Sequence, residues 1–265
     1  MNKNNPFLST KLTVTEVGYD TVDSSWYKFI AYYPYYRLYY ICSGSAKIIL
    51  KNGEIDLKPG RLYFVPAFSV VNGVCYELLT HYWIHFNLDI TTANYLSIYQ
   101  PKQEIMELEL DKNAFELILR YYNGESYVNS IQQQNICNSL VNYIFSRFLP
   151  DKEVNLEASR FIPVLQYIDA HLSEKISNTQ LSEILYLNET YFSNIFTKYF
   201  GQPPKQYILH KRMNTAVQML IESEYSVKEI ADKLGYENEV YFNRIFHKYT
   251  GTPPGQYRKS FRNKQ

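Results

Sequence analysis

Residues 191–207 read YFSNIFTKYFGQPPKQY, and residues 241–257 read YFNRIFHKYTGTPPGQY. The two segments begin fifty residues apart and are identical at eleven of seventeen positions. Arrays of structural repeats need about three or more units to bury a continuous core. Two copies therefore indicate a duplicated module near the end of this chain.

Each copy has the pattern of an amphipathic helix that ends at a glycine. The apolar positions of the second copy follow the i, i+3, i+4, i+7 spacing of a helix, and they are Phe242, Ile245, Phe246 and Tyr249. Gly251 is typical of a helix C-terminus, and the prolines after it are typical of the first turn of another helix. A shorter helix is predicted upstream at 227–234, with a counterpart at 181–185. The sequence thus predicts two helix-turn-helix units, whose second helices can enter the major groove of DNA.

The polar positions of the two second helices are the candidate DNA contacts. They are Thr190, Ser193, Asn194, Thr197 and Lys198 in the first unit, and Glu239, Asn243, Arg244, His247 and Lys248 in the second. Arginine can bond guanine through two hydrogen bonds, and asparagine can do the same with adenine. A solvated polar face is the alternative interpretation for any single surface helix. Matched positions in two copies favour DNA binding.

This region resembles the DNA-binding half of the AraC/XylS family of bacterial transcription regulators. The resemblance is carried by residues 230–236 (IADKLGY), residues 241–251 (YFNRIFHKYTG), Pro253, Tyr257 and Arg258. Residues 212–216 (RMNTA) and Leu220 resemble the linking helix of the family. The resemblance implies a sequence-specific regulator, more commonly an activator, that acts on double-stranded DNA and RNA polymerase.

Two positions depart from the family pattern. Asn194 stands where arginine is common, so the first recognition helix is expected to read bases differently. Ser182 replaces an alanine that is usual in the first unit, which is a minor change. Between the units, a helix at about 205–222 would span about 27 Å. This length suits two recognition helices in successive major grooves, which lie about 34 Å apart.

The amino-terminal half reads as a small β-barrel or jelly roll. Residues 13–87 are rich in Tyr, Val, Ile and Phe, broken by turn residues. Strands are predicted at 36–41, 46–50 and 76–86, and Asn52-Gly53 is a strong hairpin signal. Residues 57–66 and 83–86 resemble the cupin-type sensor domain of the same family. The predicted fold class is α+β, with this barrel followed by helices and then an all-α domain.

A small-molecule effector is the expected ligand of the barrel, because barrel mouths suit such sites. His81 and Trp83 lie at positions that the sugar-binding members of the family use. Trp83 is expected to stack on a sugar face, while His81, Arg37 and Tyr39 bond its hydroxyls. Packing in the core or on the surface remains the alternative for each of these residues.

A metal-dependent enzyme fused to a DNA anchor is the rival hypothesis. Glu77, His81 and His85 are spaced four apart, and this spacing alone leaves a three-ligand metal site open. We expect instead a protein without metal, cofactor or enzymatic activity. An architectural DNA protein with little sequence preference is a third alternative.

The expected domains are residues 1–150, for effector sensing and dimerisation, and residues 157–265, for DNA binding. Two helices are predicted within 110–149; the family resemblance implies that they form a homodimer, whereas the pattern alone lets them cover the barrel. A charged, proline-containing linker is predicted at 149–155.

Charge and composition agree with this division. Residues 1–157 carry 13 Lys and Arg against 16 Asp and Glu, and the remainder carries 14 against 10, so the basic excess accompanies the helix-turn-helix units. The three cysteines form no CxxC motif and are expected to be reduced. We predict a cytoplasmic protein without a membrane partner, because no signal peptide and no run of eighteen apolar residues is present.

Overall fold

The computed structural model describes residues 11–26, 33–125, 128–149 and 156–262. The chain divides into two compact units, Met1–Glu153 and Val154–Gln265. The first unit is rich in β-strands, and the second contains only helices among its described residues. This is the α+β, two-domain fold class that the sequence predicts.

The first unit is built on two antiparallel sheets. Its strands are β1 Leu12–Val22, β2 Tyr36–Ser43, β3 Ala46–Leu50, β4 Gly53–Leu57, β5 Arg61–Val65, β6 Val70–Cys75, β7 Leu79–Leu88 and β8 Glu104–Met106. The larger sheet has the order β1-β7-β2-β5-β8, and the smaller has the order β4-β3-β6. Three helices complete the unit: α1 Ile90–Tyr99, α2 Glu109–Tyr122 and α3 Ser130–Ser146.

The larger sheet buries both of its faces, because successive side chains along a strand point to opposite sides. Leu38 and Tyr40 of β2 belong to a core that includes α2 and α3. Tyr39 and Ile41 of the same strand belong to a second core, shared with the smaller sheet. The unit therefore has three layers, and the helices at 109–146 cover the larger sheet.

The strands differ in places from the sequence prediction. The run predicted at 76–86 is β7 at Leu79–Leu88, and β2 continues to Ser43. The segment after Pro66 contains β6, which the sequence analysis did not predict. Gly73 and Asn72 weaken the strand pattern there, and pairing with β3 supplies the order that local sequence lacks.

The second unit contains the duplicated helices. They are α4 Leu156–Ser159, α5 Ile162–Ala170, α6 Asn178–Ile184, α7 Glu189–Phe200, α8 Pro204–Glu222, α9 Val227–Lys233, α10 Glu239–Thr250 and α11 Pro254–Arg262. Capping boxes start the short helices: Ser177 and Gln180 begin α6, and Ser226 and Glu229 begin α9. Both second helices, α7 and α10, end at glycines in the left-handed conformation, as predicted.

Helix α8 joins the two helix-turn-helix units, and its 19 residues span about 28 Å. It packs against α7 on one side and against α9, α10 and α11 on the other. Its Arg212 donates hydrogen bonds to the carbonyl oxygens of Leu172, at 2.6 Å, and Glu174. Since those carbonyls lie between α5 and α6, Arg212 binds the linking helix to the segment just before the first helix-turn-helix.

The turn of the second helix-turn-helix also touches the segment that precedes the first helix-turn-helix. Gly235 has a φ of +75°, and a Cβ built on it would lie 1.9 Å from the carbonyl oxygen of Ser173. Only glycine permits both this conformation and this approach. The contact places the α9–α10 turn directly against the segment between α5 and α6.

Candidate nucleic-acid interface and effector site

Helix α10 exposes a continuous polar stripe opposite its core face. Phe242 and Phe246 are fully buried, while Arg244 and Lys248 are exposed one helical turn apart. The side chain of Asn238 caps the helix by accepting hydrogen bonds from the first backbone N–H groups. The Arg244 guanidinium lies 5.3 Å from the ring centre of Tyr241, one turn before it. This arrangement presents a guanidinium outward from the first half of the helix, the part that contacts base edges in helix-turn-helix proteins.

Helix α7 presents the corresponding stripe with different chemistry. Phe192 and Phe196 are fully buried, and Asn194 and Lys198 are exposed at the positions matching Arg244 and Lys248. Asn188 caps this helix through the N–H of Tyr191. The first unit thus offers an amide where the second offers a guanidinium, which favours adenine in one block and guanine in the other.

The predicted contact residues do not all face outward equally. Seven are exposed: Thr190, Asn194, Lys198, Glu239, Arg244, His247 and Lys248. Ser193, Thr197 and Asn243 are half-buried at the edge of the stripe. The Thr197 hydroxyl donates to the carbonyl of Ser193 at 2.7 Å, so its donor is used within the helix. DNA contacts by all ten residues stay predictions.

Sequence reasoning missed the exposed apolar residues of the two second helices. Val240 is 75% exposed, and Tyr191 and Tyr241 are about half exposed at matched positions. They were assigned to neither the core nor the interface, because the i, i+3, i+4 pattern locates only the buried stripe. Exposed methyl and aromatic groups beside Arg244 are the signal that could have drawn attention to them.

In the β-rich unit (Met1–Glu153), the four predicted effector residues share one face of the larger sheet. Tyr39 lies opposite Trp83 across β2 and β7, and Arg37 lies opposite His85 two residues away. Arg37 and His81 are each 2% exposed, whereas Trp83 is only partly buried. The rings of Tyr39 and His81 are 5.4 Å apart. The structure therefore brings Arg37, Tyr39, His81 and Trp83 together between the two sheets.

His81 is, together with Arg37, one of the two fully buried polar groups of this cluster. Burial lowers the pKa of His81 to about 4, so the imidazole is neutral near pH 7. Its Nδ1 atom is buried and has no hydrogen-bond partner within the described part of the chain. A buried nitrogen without a partner costs free energy, which a ligand that bonds it would recover.

Strand β1 adds two carboxylates that the sequence analysis missed. Glu16 lies 2.9 Å from Nδ1 of His85, and Asp20 accepts a hydrogen bond of 2.6 Å from Nε1 of Trp83. The bond with His85 lowers the pKa of Glu16, while burial lowers the pKa of His85. Ionised Glu16 therefore accepts a hydrogen bond from Nδ1–H of neutral His85. Local sequence gave no hint of these pairs, because β1 and β7 are more than sixty residues apart.

Trp83 covers the backbone of β1. A Cβ built on Gly18 would lie 2.4 Å from the indole ring, so the ring occupies the space that a side chain there would need. The Asp20 hydrogen bond holds the indole nitrogen at the same strand. Trp83 is thus fixed in orientation, with part of its surface exposed.

The proposed metal ligands are not assembled. On a strand, four residues span roughly 13 Å, so His81 and His85 are too far apart for one ion. Glu77 lies in the turn before β7 and accepts a hydrogen bond from Ser45. Across the described ranges, no group of three or more His, Cys, Asp or Glu side chains could hold a metal ion.

Comparison with known proteins agrees with the helical architecture. Residues 181–260 match a family model described as a helix-turn-helix domain. The HTH-type transcriptional regulator YidL of Escherichia coli is 26% identical over 203 residues, covering 74% of this chain. The regulatory protein PocR of Salmonella typhimurium is 36% identical over 78 residues, covering 29%. These matches span 66% and 26% of the two relatives' own lengths.

The chain carries an AraC/XylS-type helix-turn-helix domain. The resemblance predicted from the duplicated segment is therefore confirmed. In this AraC-type domain, α7 and α10 are the recognition helices and α8 is the linking helix.

The two-domain arrangement of the elements is also found in a solved structure. ToxT from Vibrio cholerae has a TM-score of 0.58 to this chain, with 94% of this chain and 97% of ToxT covered. Its sequence identity is 13%, so the likeness concerns the fold alone. A β-rich unit followed by a helical unit is thus a fold already seen in a solved structure. No helix in the described ranges is long and apolar enough to span a membrane.

Proposed function

We propose that this protein is a sequence-specific transcription regulator whose DNA binding responds to a small molecule held between its two β-sheets. The observation that carries the proposal is the pair of capped recognition helices, each with an exposed polar stripe, that both pack against one linking helix. Double-stranded DNA is the partner that two such stripes fit. The proposal assigns the chain no enzymatic reaction.

One monomer is proposed to contact two successive major grooves. A linking helix of about 28 Å is comparable to the groove spacing of about 34 Å, so the two recognition helices that it joins can reach successive grooves. Hydroxyl-radical footprinting of the full-length protein on a bound duplex is expected to show two protected windows one helical turn apart. A single window would contradict the use of both units.

The proposed effector is a sugar or a similar uncharged polyol. Arg37, Tyr39 and neutral His81 offer hydrogen bonds to hydroxyls, and the fixed Trp83 ring offers a face for stacking. The charged groups of the cluster are two carboxylates, Glu16 and Asp20, against the guanidinium of Arg37. This balance favours an uncharged ligand over an anion.

A fatty acid is the competing effector class. ToxT has been solved with an unsaturated fatty acid bound, and its fold resembles that of this chain. A fatty-acid carboxylate would meet Arg37 but also the two acidic side chains of β1. We therefore favour the sugar.

Titration calorimetry of the full-length protein against a sugar panel and a fatty-acid panel separates the two classes. One sugar should release or absorb heat, and Trp83→Leu should abolish this signal. Tyr19→Leu is the matched control, because Tyr19 packs on Tyr82 at the opposite face of the sheet and is also partly exposed. Heat with fatty acids alone would replace the sugar assignment, and silence in both panels with an intact circular dichroism spectrum would reject the effector site.

The protein is proposed to act in the cytoplasm as a homodimer that contacts RNA polymerase, most simply as an activator. The effector is proposed to change how the two DNA-binding domains of this homodimer are arranged. A ligand shifts such an equilibrium only through different affinities for the two arrangements. Sedimentation analysis with and without the bound sugar tests the dimer: a monomer under both conditions would contradict it.

A further inference from the structure

The most exposed apolar side chain of the recognition helices is Val240, in the first turn of α10. It is 75% exposed, so it contributes little to the core of the domain. Valine is also a weaker helix former than most residues, because its branched side chain loses rotamer freedom against the preceding turn. Neither burial nor helix propensity explains a valine at this position.

Val240 has a defined place on the outward stripe. It lies one turn before Arg244 and two turns before Lys248, on the side of α10 opposite the buried Phe242 and Phe246. The backbone N–H of Val240 donates to the side chain of Asn238 at 2.7 Å, which fixes the first turn. Val240 and Arg244 therefore form one surface, because the Cβ atoms of residues four apart on a helix are roughly 5–6 Å from each other.

The first unit repeats this arrangement with a related residue. Thr190 occupies the position that matches Val240, is exposed, and precedes Asn194 by one turn. Both recognition helices thus place a methyl-bearing, β-branched side chain one turn before a side chain that can bond a base. The duplication preserves the methyl group while the polar partner changes.

The chemistry of valine limits what it can recognise. It has no hydrogen-bond donor or acceptor, and covering a polar base edge with it would leave that edge without a partner. The one apolar feature that a base pair shows in the major groove is the C5-methyl group of thymine. Cβ atoms 5–6 Å apart along the helix correspond to bases one or two steps apart, since base pairs are spaced 3.4 Å.

We propose that Val240 is a specificity-determining residue that reads a thymine methyl group next to the guanine bonded by Arg244. The inference rests on the proposed function, because it needs α10 in the major groove. It adds the identity of a second base in the block that the second unit contacts, and the residue that selects it.

Replacement of thymine by deoxyuridine tests the proposal, because it removes only the methyl group. The full-length protein is titrated with a duplex recovered by site selection, in which each thymine is replaced in turn. The guanine bonded by Arg244 is identified as the one whose replacement no longer weakens binding in Arg244→Ala. Deoxyuridine at one thymine within two base steps of this guanine should lower affinity about fourfold, as expected for one buried methyl group. Other thymines of that block should show little change.

Variants at Val240 assign the effect to this side chain. Val240→Ser should bind the thymine and deoxyuridine duplexes equally, and Val240→Thr, which keeps one methyl group, should retain part of the difference. Arg244→Ala should keep the deoxyuridine effect, and thymines in the first block should respond to Val240→Ser as they do in the wild type. Ser and Thr are well tolerated in the first turn, and circular dichroism checks the fold.

Two results would overturn the proposal while leaving the regulator function intact. The first is a selected block with no thymine within two steps of the Arg244-dependent guanine, and the second is a deoxyuridine effect that persists unchanged in Val240→Ser. Failure of the underlying function looks different, because then no sequence is enriched and Arg244→Ala lowers affinity equally for every duplex.

Discussion

The two helix-turn-helix units bury the same residues and expose different ones. Phe192 and Phe196 of the first unit and Phe242 and Phe246 of the second are all fully buried at matched positions. On the outward stripe, Asn194 occupies the position equivalent to Arg244, and Thr190 occupies the position equivalent to Val240. The shared residues fix the fold of each unit, and the divergent residues are the ones proposed to set what each unit reads on DNA.

The turns of the two units differ in the same instructive way. Tyr186 and Gly235 occupy equivalent left-handed positions, with φ of +54° and +75°. Gly235 packs against the backbone of Ser173, whereas Tyr186 is 97% exposed. The second turn therefore requires glycine for a contact between the units, and the first tolerates a strained tyrosine because nothing packs against it.

The largest effect is expected at the turn of the second unit. Gly235→Ala should lower the free energy of unfolding by about 3 kcal/mol or more, since the Cβ atom would enter the Ser173 carbonyl in addition to straining the backbone. Chemical denaturation measures this loss. Gly251→Ala is the control, because it has a similar φ in open space and should cost about 1 kcal/mol. Equal losses in the two variants would refute the close contact.

The next largest effect concerns base reading by the two helices. Arg244→Ala should cost on the order of 1–3 kcal/mol of DNA-binding free energy and relax one base position in one block. Asn194→Ala should cost about 1 kcal/mol and relax a position in the other block, because an amide bonds without charge. Binding isotherms on duplexes with single base changes measure both. Uniform loss for every sequence in Arg244→Ala would show that Arg244 touches phosphate.

A smaller effect is expected where the stripes agree. Lys198 and Lys248 are exposed at matched positions, and each is expected to contact a phosphate. Alanine at either position should reduce the slope of log affinity against log salt concentration by about 0.9. Titrations at several salt concentrations measure the slope. If only Lys248→Ala changed it, the first recognition helix would not approach the DNA backbone in the same way.

The smallest effect reverses the sign of the first. Tyr186→Gly should raise the free energy of unfolding by up to about 1 kcal/mol, because it relieves the left-handed tyrosine without removing buried surface. Tyr191→Ala serves as a comparison, since Tyr191 is exposed but helical and should not gain stability. A destabilised Tyr186→Gly protein would mean that the exposed ring makes contacts of its own.

The duplicated segment explains how much of the helical unit could be predicted from sequence. Periodic apolar residues and the glycines at 201 and 251 located α7 and α10 because these signals are local. The left-handed conformation of Tyr186 was not predicted, because tyrosine rarely adopts a positive φ. The contact of Gly235 with Ser173 was missed too, since it joins segments sixty residues apart.

Long-range pairing limited the prediction of the β-rich unit still more. The sequence analysis proposed Arg37, Tyr39, His81 and Trp83 as effector ligands, with His81 and Trp83 taken from the family resemblance, but it could not show that these residues meet between two sheets. Glu16 and Asp20 entered the cluster only through the pairing of β1 with β7. Their presence adds negative charge to the site and supports an uncharged effector over an anionic one.

The most direct test of the account is selection of binding sites from random duplex DNA by the full-length protein, at about 150 mM salt so that phosphate-only binding is suppressed. The account predicts a motif of two blocks about 10 base pairs apart, one degraded by Arg244→Ala and the other by Asn194→Ala. A motif with a single block, or binding without sequence preference, would contradict the claim that both units read DNA.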